Sequence, residues 1–182
     1  MSRCVFPISV AVAIALGACG KVQEKASEKA VEKAIESSLS KDGTQAKVNL
    51  SEGGMKVATT DASGKTTQME MGNAKISEAD LGLPFYPGAR QNEGAAMRIA
   101  SGSSVSMQVA LHSDDAHDKV EAFYRDKLKA MAEGKQLMDM SSNDGASISL
   151  LDDKAKTSLA VHVTKAENGT DIAITSTREG PK

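Results

Sequence analysis

The sequence has very few aromatic residues. Tryptophan is absent, and aromatic side chains make up only 3% of the 182 residues. After residue 18 they occur as two adjacent pairs, Phe85-Tyr86 and Phe123-Tyr124. Because large rings are scarce, we expect Val, Ile, Leu, Ala and Met to supply most of the interior volume. The composition therefore predicts one core of modest size.

The chain also lacks a strong charge of either sign. It has 22 basic and 24 acidic residues, a net charge of −2, and no basic run. Binding to nucleic acid leaves an electrostatic footprint of clustered Lys and Arg, which is missing here. We therefore expect no nucleic acid partner.

Recognised catalytic motifs are missing as well. The sequence contains no Gly-x-Ser-x-Gly elbow and no phosphate-binding loop. On this ground we predict that the protein is not an enzyme, and the absence of a recognised catalytic site favours a binding or scaffolding role.

The N-terminus carries a short hydrophobic run and both cysteines. Arg3 precedes the mostly apolar run from Val5 to Leu16. This run is shorter than the about 20 residues needed to cross a bilayer, so it is typical of a secretory signal rather than of a membrane span. Cys4 lies within the signal and would be lost with it, which leaves Cys19 without an internal partner.

The residues Leu16-Gly17-Ala18-Cys19 resemble the lipobox of bacterial lipoprotein precursors. The resemblance implies that residues 1–18 are a signal peptide, cleaved before Cys19, and that Cys19 carries a diacylglycerol on its thiol and an acyl chain on its amine. Two or three acyl chains would anchor the protein firmly. Gly20, rather than Asp, implies sorting to the periplasmic face of the outer membrane in a Gram-negative host. The alternative is an ordinary secreted chain in which Cys19 is a free or disulfide-bonded thiol.

A helical stalk is predicted next, within residues 19–45. The stretch from Lys21 to Leu39 has no Gly or Pro and repeats Glu-Lys-Ala every four residues, which strongly favours a helix. Its apolar side is thin, so we interpret it as a solvated spacer that would reach about 28 Å at ~1.5 Å per residue. The alternative is a helix that pairs with a partner helix.

Alternating residues predict the remaining structure. Three short strands within residues 46–72 predict a small β-meander, followed by a linker over residues 73–80. Residues 81–178 predict an α+β domain in which an antiparallel sheet is covered by one helix, with a tail at 179–182. The helix would begin after Ser113-Asp114-Asp115, whose side chains suit an N-cap, and Phe123 would lie under it.

These features resemble a loose group of uncharacterised proteobacterial lipoproteins. Their shared features are the lipobox, the Lys/Glu/Ala helix, the segment Tyr86-Pro87-Gly88-Ala89, and the Val-x-x-Phe-Tyr helix at Val120 to Tyr124. These motifs are structural, so the resemblance implies no activity.

One cluster of polar residues would suit a metal or a hydrolytic reaction. Carboxylates and imidazoles lie close together in sequence at the predicted junction between strand and helix, and such groups bind Zn²⁺ or harder cations. The residues are His112, Asp114, Asp115, His117 and Asp118, with His162 predicted on an exposed sheet face nearby. The alternative is a capped helix start with surface histidines, since no recognised ligand spacing occurs.

Two pairs of methionines would suit a soft metal. Met69 and Met71, and likewise Met138 and Met140, would project from one side of a strand, and thioethers are ligands for Cu(I). The alternative is that methionine fills a core short of aromatic residues.

The candidate surface for an envelope protein partner is either the open sheet face or the edge around Phe85 and Tyr86, which lie beside two prolines. In the alternative interpretation both rings are buried.

Taken together, the sequence predicts an outer-membrane lipoprotein that acts as a binding or scaffolding module. The alternative function is a metal-dependent or hydrolytic periplasmic enzyme that uses the cluster from His112 to Asp118.

Overall fold

The computed structural model describes residues 20–41, 43–51 and 53–179. Cys19 and the predicted signal lie outside the described residues. The helices α1, α2 and α3 span Gly20–Leu39, Glu78–Leu81 and His117–Ala130. In chain order, the strands β1 to β10 span Gln45–Ser51, Gly54–Thr60, Thr66–Gly72, Arg90–Gln91, Ala96–Ser101, Ser104–Ser113, Gln136–Ser141, Gly145–Asp152, Thr157–Ala166 and Gly169–Glu179.

The described strands form a single antiparallel sheet. Their order is β1-β2-β3-β5-β6-β10-β9-β8-β7, and the short β4 pairs with β6 beside this path. The predicted α+β class is confirmed in this broad form, although the sheet dominates more than we expected. The helix α3 packs on the half of the sheet formed by β7 to β10.

The sheet face beneath α3, here called the helix face, carries the core. Alternate residues of β6, β8, β9 and β10 point to it, which follows from the two-residue period of a strand. Tyr124 of α3 is fully buried against this face, whereas Phe123 is only partly buried. The prediction that Phe123 lies under the helix is confirmed in part: Phe123 packs against the core, but the helical period turns Tyr124, Val120 and Leu128 more fully inward.

The start of α3 also differs from the prediction. Its N-cap residue is Ala116, which makes no side-chain cap hydrogen bond. The Ser113 hydroxyl instead accepts a hydrogen bond from the Asp115 backbone N–H at 3.2 Å. The polar residues before the helix therefore shape the preceding turn rather than cap the helix.

Residues 73–80, predicted as a linker, contribute to the core. Ala74 and Ile76 are buried and belong to the core cluster, while the residues on either side of them are exposed. Ser77 and Asp80 then form a reciprocal capping box at the start of α2. Sequence reasoning missed this role because the alternation is too short to register as a strand.

The three predicted meander strands occur as β1, β2 and β3, and they extend the main sheet. β3 pairs with β5, and Met71 stands opposite Met97 in that register. The sequence predicted the meander as a unit separated by a linker from the α+β domain; in the structure it joins the sheet edge to edge. Backbone hydrogen bonds to β5 supply the support that an isolated three-stranded unit lacks.

Helix α1 lies along the outer edge of β1, and this contact differs from the predicted solvated spacer. Glu32 accepts a hydrogen bond from the Leu50 backbone N–H at 2.7 Å, and Glu36 accepts one from Val48 N–H at 2.8 Å. The Ser40 hydroxyl accepts a third from Ala46 N–H at 3.1 Å. Four residues of a helix rise about 6 Å, and two residues of a strand rise about 6.8 Å. Successive acceptors on α1 therefore lie level with successive outward N–H groups of β1. The helix satisfies N–H groups that an edge strand leaves unpaired.

This contact predicts a measurable protection of the β1 edge. With Glu32→Ala and Glu36→Ala combined, we expect the Val48 and Leu50 amides to exchange hydrogen at least about tenfold faster. The physical reason is that a hydrogen bond to a charged group contributes about 1.5–3 kcal/mol. The matched control combines Lys29→Ala and Lys33→Ala on the exposed side of α1. Equal exchange rates in the two double variants would contradict the contact.

Candidate ligand groove and the predicted polar cluster

The predicted cluster of histidines and aspartates begins with a surface group at the end of β6. His112 Nδ1 lies 2.8 Å from Asp171 Oδ1, since the two residues are paired across β6 and β10. Asp114 forms a two-pronged ion pair with Arg90, with both N···O distances at 2.9 Å. Hydrogen bonds from Arg90 lower the pKa of Asp114. This group ties β4 to the turn that precedes α3.

Asp115 serves a different contact. Its carboxylate accepts a hydrogen bond from the Tyr86 hydroxyl at 2.6 Å and lies 3.4 Å from Lys119 Nζ. The bond from Tyr86 lowers the pKa of Asp115 and, reciprocally, raises the pKa of Tyr86. The Asp115 carbonyl accepts a further bond from the Thr170 hydroxyl at 2.8 Å. Asp115 thus joins the Tyr86 segment to the sheet.

His117 and Asp118 are the first two residues of α3. The buried His117 ring has Nδ1 2.7 Å from Asp118 Oδ1, and its Nε2 lies 3.1 Å from Glu121 Oε2 without hydrogen-bond geometry. Glu121 is itself buried and bonds to Arg125, which also reaches Asp139 of β7.

Charge-assisted hydrogen bonds hold together the network around Arg125. Burial raises the pKa of Glu121, but hydrogen bonds from Ser141 and Arg125 outweigh burial, so the pKa lies below its usual value. The Arg125 hydrogen bonds also lower the pKa of Asp139. Arg125 Nε lies 2.6 Å from Asp139 Oδ2, and the Ser141 hydroxyl donates to Glu121 at 2.7 Å. This network attaches the outer strand β7 to α3.

The structure therefore divides the predicted cluster among three separate contacts. His162 lies on the exposed face opposite α3, as the alternation predicts, and is paired with Ala173 and Ser147. Across residues 20–41, 43–51 and 53–179, no three side chains of His, Cys, Asp or Glu are arranged to hold a metal ion.

Phe85 and Tyr86 are half-buried and packed against α3. The Tyr86 N–H donates to the Tyr124 hydroxyl at 2.9 Å, and the Tyr86 ring meets Phe123 edge to face with centroids 5.3 Å apart. The Phe85 N–H donates to Glu78 Oε1 at 2.9 Å. These contacts favour a packing role for the pair.

A groove that sequence reasoning missed lies on the helix face, beyond the part covered by α3. It has a volume of about 720 Å³ and is lined by β1, β2, β3 and β5, with Glu36 of α1 at one side. The register places two cross-strand rows of its lining residues on this face. One row is Lys47, Ala58, Gln68 and Ala100, and the other is Asn49, Lys56, Glu70 and Arg98.

Charged side chains surround a floor of small residues in the groove. Lys56 pairs with Glu70 at 3.0 Å, and Arg98 lies 3.5 Å from Asp80 of α2. Arg98 also contacts Met107 Sδ at 3.5 Å, at the border with the core. The alternation of residues was visible in the sequence, but the pairing of β3 with β5 was not. Without that pairing, the two rows could not be assembled.

The two predicted methionine pairs lie in different settings. Met69 and Met71 are half-buried, on the face opposite α3. Met138 and Met140 lie on the outer strand β7 and are 61% and 70% exposed.

In the described part of the chain, no helix combines the length and the apolar character needed to cross a membrane. Comparison with protein-family models, with curated proteins and with solved structures found no match to this chain.

Proposed function

We propose that the protein is a lipid-anchored envelope protein whose folded part is a binding module, and that the groove binds a small amphipathic acid. The observation that carries this proposal is the groove itself. Its volume of about 720 Å³ falls within the about 300–1,000 Å³ typical of small-molecule sites. Glu36 of α1 lies at one side of it, and the lining residue Arg98 is held by an ion pair with Asp80 of α2.

The lining favours a ligand with an apolar body and an acidic head. Ala58 and Ala100 have small side chains, which leave an apolar floor and room above the sheet. Lys47, Lys56 and Arg98 supply cations at the rim, and Lys47 is exposed, with no ion pair among the described residues. A carboxylate would gain charge-assisted hydrogen bonds from these groups.

The proposed anchor is a covalent lipid on Cys19, at the periplasmic face of the outer membrane. The lipobox resemblance supports the anchor, and Gly20 supports the outer membrane. The part of α1 that precedes Glu32 would be the tether, about 18 Å long at ~1.5 Å per residue. A short tether would keep the groove close to the membrane surface.

A binding role is better supported than catalysis. Asp114 and Asp115 are engaged by Arg90 and Tyr86 in contacts that hold loops together. The alternative enzyme, which would use the cluster from His112 to Asp118, gains no support from this geometry.

The test compares the wild type with a groove-filling variant, Ala100→Trp, and with Ala160→Trp on the opposite face of β9 as the matched control. Each protein is melted with and without palmitate, and with the uncharged hexadecanol. A ligand at 100 times its Kd stabilises a protein by about 2.7 kcal/mol. We expect palmitate to raise the Tm of the wild type and of the control, but not of Ala100→Trp, and hexadecanol to have a weaker effect.

Ala58→Trp serves as a second groove-filling variant should Ala100→Trp not fold. Native mass spectrometry of detergent-purified protein adds an independent readout. In the Cys19→Ala variant the covalent lipid mass should disappear while a groove-bound adduct persists. A palmitate shift that survives in a folded groove variant, or no shift in the wild type, would reject the groove as the site.

A further inference from the structure

The face of the sheet opposite α3 brings four methionines together. Met55, Met71 and Met97 stand directly opposite one another on β2, β3 and β5. Met69 lies two residues before Met71 on the same strand and therefore on the same face. Met71 is the centre of this group, since it neighbours the other three. Two of these methionines were singled out from the sequence; the register adds Met55 and Met97.

These four methionines are not part of the core beneath α3. Met107 fills that core, and the register pairs it with Arg98, whereas Met97 is paired with Gln108. Met97 and Met107 therefore project from opposite faces. Core filling, the general explanation for methionine in a chain poor in aromatic residues, does not account for this group.

The group is flanked mainly by apolar residues, and Gln108 stands beside Met97 on the same face. Leu50 continues the row beyond Met55, while Val57 and Ile99 flank Met69. All four methionines are half-buried. Cross-strand neighbours have Cβ atoms about 4.5–5.5 Å apart, and the methionine side chain has three rotatable bonds. The thioethers can therefore converge above Met71.

From this arrangement we propose a Cu(I) site formed by Met71 with at least two of Met55, Met69 and Met97. Thioethers are soft, uncharged ligands that select Cu(I) over harder divalent cations. An apolar setting with neutral ligands suits a monovalent ion better than a strongly hydrated divalent one. The site lies on the face opposite the groove, so it does not depend on the proposed function.

The experiment titrates the full chain with Cu(I) under anaerobic conditions, in competition with a chromophoric chelator. Cys4→Ala and Cys19→Ala are included so that every remaining protein sulfur is a thioether. Met71→Leu is compared with Met138→Leu, which removes an exposed methionine from β7 at the far edge of the sheet. Replacing Met by Leu conserves volume and costs less than about 1.5 kcal/mol, so both variants should fold.

We expect one Cu(I) per chain in the parent and in Met138→Leu, and at least a tenfold weaker affinity in Met71→Leu. X-ray absorption should show a shell of sulfur ligands. Weak, non-stoichiometric binding in the parent, equal affinity in the two variants, or a shell of nitrogen and oxygen would overturn the proposal. Palmitate binding at the groove should be unchanged in Met71→Leu.

Discussion

Tyr124→Ala is expected to remove about 3–5 kcal/mol from the free energy of unfolding, a large part of the about 5–15 kcal/mol that a domain typically has. Tyr124 lies on the inner side of α3 and is 0% exposed. Its ring meets that of Phe123 edge to face, with 5.1 Å between the ring centroids. Its hydroxyl also accepts the Tyr86 N–H, and burial raises the pKa of that hydroxyl, which therefore stays neutral. Urea denaturation followed by circular dichroism measures the loss.

One further variant separates the contribution of the Tyr124 ring from that of its hydroxyl, and a second is a surface control. Tyr124→Phe keeps the packing but leaves the Tyr86 N–H without its acceptor, and should cost about 1–3 kcal/mol. Met138→Ala, on an exposed position of β7, should change stability by less than about 0.5 kcal/mol. If Tyr124→Ala were as mild as Met138→Ala, the core assignment would be wrong.

Arg125→Ala is expected to destabilise the protein by about 2 to 3 kcal/mol at pH 7, because it removes charge-assisted hydrogen bonds to two carboxylates. The loss should depend on pH. Glu121 and Asp139 have ordinary pKa values of 4.5 and 3.8, and both are lowered in the folded protein. Lowered carboxyl pKa values stabilise the fold above the unfolded pKa, and the stabilisation disappears as the pH falls through the folded pKa.

The difference between the wild type and Arg125→Ala should therefore be full at pH 7 and shrink below about pH 4. Urea denaturation at pH 7, 5 and 3 measures it. Lys119→Ala is the control, since Lys119 makes an exposed i,i+4 pair with Asp115 that should contribute little at any of these pH values. A difference that stays constant down to pH 3 would show that Arg125 acts through packing rather than through its carboxylate partners.

Most helices and strands were predictable, because each follows a short repeat of residue types along the sequence. The Glu-Lys-Ala repeat predicted α1, and strict alternation predicted the strands from Ala46 to Met71 and from Val105 to Ile174. The apolar face of α3 was also predictable, since Phe123 and Tyr124 both pack against the core, but the sequence did not indicate that Tyr124 is the more deeply buried of the two. Backbone geometry over the whole helix, rather than composition, selects Tyr124.

Contacts between distant segments could not be read from the sequence. The pairing of β3 with β5 determines the groove and gathers Met55, Met71 and Met97, yet no local period specifies a strand's neighbour. The bonds from Glu32 and Glu36 to β1 were hidden for a similar reason, since a Glu on a Lys-rich helix is usually assigned to surface ion pairs. In the structure, these two carboxylates bind backbone N–H groups of β1 instead.

The position of α1 on β1 has a consequence for any shortened form of this protein. Proteolysis after Ser40 or Lys41, or a recombinant chain that starts at Gln45, would remove Glu32, Glu36 and Ser40 together. The outer N–H groups of β1 would then be free to pair with a strand of another molecule, which is a route to domain swapping and fibrous aggregation. The segment that resembles a dispensable tether thus covers a strand edge that would otherwise be open to pairing, and a recombinant version should retain it.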